Sequence, residues 1–189
     1  TTFATVNQAA IGGEAAAGFT SHLNNIDSMV VSVAGGSLPK ILENSMAFAP
    51  SVLGWLTAAG VAHRTSDFEK FMYVAQSTID SADPINFAQA LAHNVAVLAQ
   101  EIVGGGDASA IGDSKVYTKD KVVPNNAFPT AYSTATYGAA YPAPLVGTEP
   151  LAVLLGLSAP SAGPGAKDTT VNSLLVKMKI GHHVSLLRP

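Results

Sequence analysis

The sequence predicts an α/β protein built on a mostly parallel sheet. Two observations carry that prediction: apolar segments of strand length that end in glycine, and helical patterning between them. Three segments read as buried strands: MVVSVAGG at 29–36, NVAVLAQEIVGGG at 94–106 and NSLLVKMKIG at 172–181. The first two are continuous apolar runs rather than alternating ones, which suits a parallel sheet covered on both faces. Each closes in glycine, as expected where a strand turns sharply into a loop.

The elements between the strands follow from spacing and caps. Residues 38–56 carry apolar side chains at mixed three- and four-residue intervals, broken by Pro50. A helix is expected over 66–77, with Ser66 as N-cap and Glu69 completing a capping box. Asp83 followed by Pro84 reads as a cap and first helical residue, opening a helix that runs to about Leu91. The whole stretch 38–93 is therefore helical, and could form part of a cap over a site. From 104 to 170 the character changes to proline-, glycine- and tyrosine-rich sequence around one short helix at 149–157, entered through Thr148. Loops of that length usually carry function or line a binding surface.

Length and composition bound the rest. A chain of 189 residues fits one domain, although so few strands look like half of one. The net charge of −3 gives no footprint for nucleic acid, which needs clustered Lys and Arg. The absence of cysteine excludes disulfides, thiol nucleophiles and cysteine-ligated metals. Charged residues make up only 12 %, about half the usual ~25 % share, so the chain either buries much of itself or presents an apolar face to something else. No apolar run reaches the ~20 residues that span a bilayer. The start, TTFATVNQAA, shows neither an initiator methionine nor a basic signal region, and is read as the start of a processed or cut chain.

Two elements could carry chemistry. One is Asp120 in DKVVPN, in the loop after the second strand; the other is the pair His182–His183, just after the third. A carboxylate after one strand and a histidine after the next is the order in which α/β-hydrolases place two members of their triad. A serine hydroxyl becomes a useful nucleophile only when an imidazole takes its proton, and a buried carboxylate orients that imidazole. No G-x-S-x-G occurs in the chain. Ser37, in AGGSLPK, lies between strand and helix, but Pro39 stands where the motif has its second glycine and only 28 residues precede Met29. Asp107 and Asp113 carry the oxygen donors calcium wants, yet read as solvated loop residues, so no metal and no cofactor is expected. His22, His63 and His93 have no partner spacing and are assigned no role. Trp55, Leu53, Leu56, Phe68, Phe71 and Met72 form an apolar cluster, read first as helix-on-sheet core packing and otherwise as an acyl-sheltering cap.

The segments QSTIDSADPINFA (76–88), DKVVPN (120–125), PLVGTEPLAVLLGL (144–157) and HVSLLRP (183–189), taken in order, resemble the C-terminal half of bacterial extracellular lipases of the virulence-factor-lipase type. The segment SMVVSVAGGSLPKILENSMAFAP is similar to a stretch one helix and one strand beyond the nucleophile elbow, and TTFATVN to the helix directly after it. The resemblance runs nearly end to end, with a loose fit only at 127–141. It implies an α/β-hydrolase fold of which this chain is the C-terminal portion, with Asp120 as triad acid and His183, rather than His182, as base. It also implies a secreted lipase or phospholipase acting on a lipid or ester. The serine and the oxyanion hole would then lie upstream, on an N-terminal half of the same precursor retained as partner. Two other readings stand beside it: an amidohydrolase using the amine-activated hydroxyl of Thr1, and a non-catalytic binding or assembly module.

Overall fold

A computed structural model describes residues 28–92, 95–105, 119–127, 143–158 and 173–185. Three strands, β1 (Ser28–Ser32), β2 (Ala96–Ile102) and β3 (Leu174–Met178), form a parallel sheet in that order. Register places Val31 opposite Ala99 and Ala99 opposite Leu175, so these residues share one face. The α/β class and the parallel sheet expected from the sequence are both present.

The chain between β1 and β2 is helical. It comprises α1 (Leu38–Asn44), α2 (Ala49–Ala58), α3 (Ser66–Ile79), two 3-10 turns at Asp80–Ala82 and Pro84–Asn86, and α4 (Ala88–Ala92). Pro50 separates α1 from α2 because a proline is tolerated only in the first turn, and it occupies that turn of α2. The helix after β2, α5 (Thr148–Leu154), precedes β3.

The main core lies on one side of the sheet. Val31, Val97, Ala99 and Leu175 pack against Ala88 and Leu91 of α4 and against Leu151, Ala152 and Leu155 of α5 and its end. The opposite face differs from the two-sided burial expected. Val30 is 64 % exposed, and Leu98, Val176 and Met178 beside it are only half-buried. The continuous apolar character of β1 and β2 thus exceeds what the described residues cover.

Three local expectations are corrected. The N-cap of α3 is Thr65, whose hydroxyl accepts from the Phe68 amide at 3.2 Å. Ser66 is the first helical residue, and Glu69 reaches the Lys40 ammonium at 2.9 Å instead of closing a capping box. Asp83 does cap, but the turn it opens is 3-10, and α4 follows as a separate five-residue helix. Helix α5 is entered through Gly147, not capped by Thr148. Gly147 has φ 105, and a Cβ there would lie 2.3 Å from the Pro124 carbonyl oxygen. The left-handed backbone and the close approach both demand glycine.

Residues 1–27, 93–94, 106–118, 128–142, 159–172 and 186–189 lie outside the description. With them go Thr1, His22, His93, Asp107 and Asp113, the TTFATVN segment and the tyrosine-rich stretch. Among the described residues no helix is long and apolar enough to cross a membrane.

Candidate active site

The loop that carries Asp120 is fastened to the end of β2. The Asp120 amide donates to the Ile102 carbonyl at 3.2 Å. The side-chain amide of Asn125 donates to the same carbonyl at 3.0 Å. Within the loop, Asp120 Oδ1 accepts from the Val122 amide at 2.9 Å, the turn geometry aspartate favours. Farther along, the carbonyls of Pro124 and Asn125 accept from the amides of Thr148 and Glu149, at 3.2 and 2.8 Å. The Asp120 loop therefore satisfies two of the open N–H groups at the start of α5.

His183 sits in the turn after β3. Gly181, with φ 140, turns the chain, and the His182 amide and carbonyl bond to the Ser185 hydroxyl and amide at 2.6 and 2.8 Å. This closed turn directs His183 toward the neighbouring strand end. His183 Nδ1 lies 2.7 Å from Asp120 Oδ2, with the aspartate side chain 2 % and the histidine side chain 34 % exposed. An ionised carboxylate can only accept, so Nδ1 carries the hydrogen of this bond. In the neutral ring that leaves Nε2 with its lone pair, free to accept a proton, and Nε2 has no hydrogen bond among the described residues. His182 remains exposed, and among the described residues its ring accepts a 3.4 Å contact from the Val184 amide.

The two residues singled out from the sequence are thus brought together across 63 positions of chain, beyond the C-terminal ends of adjacent parallel strands. Such strand ends are where open α/β sheets place their sites.

Ser37 is not prepared for the nucleophilic role. It does occupy a left-handed turn between β1 and α1, with φ 62 and ψ 63. However, its amide and that of Leu38 donate to the two oxygens of Asp83, at 3.0 and 2.9 Å. The amide after the nucleophile is the one that should receive an oxyanion. A buried carboxylate already occupies it.

Other functional-looking groups have structural partners. His63 Nε2 is 3.0 Å from Glu43 Oε1, and its ring meets Phe68 edge-on. Among the described residues, no cluster of three His, Asp or Glu side chains could hold a metal. The aromatic cluster splits in two. Phe68 is fully buried, whereas Trp55, 74 % exposed, lines an apolar cavity of about 550 Å³ among α1, α2 and α3 together with Leu38, Leu42, Leu56, Phe71 and the buried Met72.

Sequence reasoning missed a polar group behind the acid loop. Glu101, buried in β2, accepts from Asn125 Nδ2 at 2.6 Å. Lys177 on β3 lies 3.4 Å from Glu101 and 2.6 Å from Glu149, and Asn126 also donates to Glu149. Burial pushes the Glu101 carboxyl above its ordinary range, only partly opposed by Asn125 and Lys177. Burial pushes Glu149 the same way, but the bonds from Lys177 and Asn126 outweigh it and hold that carboxyl low. The signal was present in VLAQEIV: a glutamate at an inward position of an apolar strand needs a polar partner.

Comparison with protein families, with characterised proteins and with solved structures finds no match to this chain.

Proposed function

We propose that this chain carries the acid and base of a serine carboxylic ester hydrolase, in which His183 is the proton carrier and Asp120 its orienting carboxylate. The observation that carries this reading is the 2.7 Å bond between the buried Asp120 carboxylate and His183 Nδ1 at adjacent strand ends. It leaves Nε2 as the basic nitrogen, the arrangement that activates a hydroxyl.

In the proposed reaction, His183 Nε2 removes the proton of a serine hydroxyl as its oxygen attacks the ester carbonyl. The tetrahedral oxyanion collapses, and His183 returns the proton to the departing alcohol. Water, activated the same way, then releases the acid. Asp120 remains ionised throughout and stabilises the imidazolium. The resemblance assigns the serine to a segment upstream of Thr1, and the face around Val30 that the described residues leave open suits packing by a helix of such a segment. The apolar cavity among α1, α2 and α3 suits the hydrocarbon part of a lipid ester. Secretion follows from the resemblance alone.

The test is intact-mass analysis of the natural protein with and without a fluorophosphonate, which labels activated serines. Label on an upstream segment, beside an unlabelled 19.3 kDa chain, is the expected result. Label on Ser37 would place the nucleophile inside this chain. No label on any species would overturn the hydrolase reading.

A further inference from the structure

Glu101 is a buried carboxylate that the proposed chemistry leaves without a task. Its side chain is fully buried, on the sheet face that packs against α5, and a glutamate there carries a heavy desolvation cost unless it is bonded. Asn125 supplies the bond, and Asn125 is also the residue that ties the acid loop to β2. Its side-chain amide spreads its donors between Glu101 Oε1 and the Ile102 carbonyl, at 2.6 and 3.0 Å. That carbonyl accepts the Asp120 amide as well. A single backbone oxygen therefore holds both ends of the loop, and Glu101 fixes the side chain at one of them.

We infer that Glu101 is a positioning residue, which fixes Asn125 and thereby sets where Asp120 meets His183. The inference rests on the proposed roles of Asp120 and His183. What Glu101 contributes is an acceptor oxygen in a fixed place. Lys177 lies on its other oxygen at 3.4 Å, and the Glu149 carboxylate stands beyond the lysine. These are the charged groups that face Glu101 from β3 and α5. Burial raises the Glu101 pKa, and the protonated acid still offers its carbonyl oxygen to Asn125, so the bond survives either protonation state.

Two kinds of substitution separate positioning from packing. Glu101→Gln keeps an acceptor for Asn125, whereas Glu101→Leu removes it at similar size. Asn125→Ala cuts the same link from the other side and keeps the Glu101–Lys177 pair. The first readout is the downfield Nδ1 proton resonance of His183, the NMR signature of its bond to Asp120. It is expected to persist in Glu101→Gln and to be lost in Glu101→Leu and Asn125→Ala. The second is ester hydrolysis by the whole natural protein. There kcat is expected to fall about 100-fold in Glu101→Leu with KM within about twofold, as for an ångström-scale misplacement, and to stay near wild type in Glu101→Gln. Should Glu101→Leu fail to fold, Glu101→Met decides, because Asn125→Ala also removes the bond to the Ile102 carbonyl. Folded variants that retain the resonance and full kcat would overturn the inference. A wild-type protein that shows the resonance but no hydrolysis would overturn the proposed function and leave the positioning role intact.

Discussion

Asp83 and Asp120 are both buried aspartates, and their surroundings give them opposite tasks. Asp83 accepts from the amides of Ser37, Leu38 and Ile85 and from the Gln76 side chain, so every contact is to a fixed donor. Asp120 spends one oxygen on its own turn and offers the other to an imidazole. Only the second arrangement can move charge. Asp120→Asn is expected to lower kcat about 10⁴-fold, because an amide nitrogen facing Nδ1 favours the wrong tautomer. His183→Ala should cost at least as much, and His182→Ala far less. Steady-state hydrolysis of a soluble ester by the whole protein checks all three. A near-fully active Asp120→Asn would remove the aspartate from the site. That Asp120 and His183 lie together was legible from their places after successive strands, and the lipase resemblance chose His183 over His182. The need of Glu101 for a polar partner was legible in VLAQEIV, but the identity of that partner, Asn125, and the reach of Asp83 to Ser37 and Leu38 were not, since nothing local names a partner dozens of residues away.

At the scale of elements, the strands were read well and the helix entries less well. Apolar runs closed by glycine locate strands, because few other structures bury such runs. A cap is a choice between neighbours, and TS at 65–66 offers two hydroxyls with nearly equal claims. The fold decides for Thr65, since Glu69 is drawn away to Lys40. That choice predicts an asymmetry: Thr65→Ala should cost about 1 kcal/mol, whereas Ser66→Ala should be close to neutral. Urea denaturation of each variant measures it, and equal losses would return the cap to Ser66. Gly147 is the harder constraint. Gly147→Ala must drive a methyl into the Pro124 carbonyl from a left-handed backbone, so a loss of about 2–3 kcal/mol is expected in the same assay. The loop it would displace carries Asp120, so hydrolysis should fall with stability.

For the whole molecule, the question is what covers the sheet face that the described residues leave open. One face holds the main core, while the other leaves Val30 64 % exposed and its apolar neighbours half-covered. A chain with 12 % charged residues has little polar surface to spare for that face. The excess of apolar strand surface was legible in the continuous runs; the identity of its cover was not, because a pattern of burial names no partner. If the upstream part of the same hydrolase packs there, Val30→Asp should leave this chain folded, since the side chain is mostly solvated here, but should release the upstream segment. Circular dichroism of the variant tests the first half, and co-purification of the two segments tests the second. The ions at the other side of the sheet provide the control. Lys177 is held protonated above its ordinary range, chiefly by its bond to Glu149. Glu149, held low, contributes stability that is present above its unfolded pKa and lost as pH falls through its folded value. Through Glu149, Lys177→Met should therefore cost at most about 1 kcal/mol near neutrality, the lysine being half-exposed, and loss of the charge facing the buried Glu101 adds to that cost. The difference from wild type should shrink in acid as Glu149 protonates. Glu101, raised by burial, shifts the opposite way: its ionisation penalises the folded state, so that penalty is absent below its unfolded pKa and grows as pH rises through its folded value. Lys177→Met should leave the upstream segment bound, because Lys177 lies on the face already packed by α5. Release by Val30→Asp alone would assign the contact to the open face, whereas release by both would point to a general loosening of the sheet.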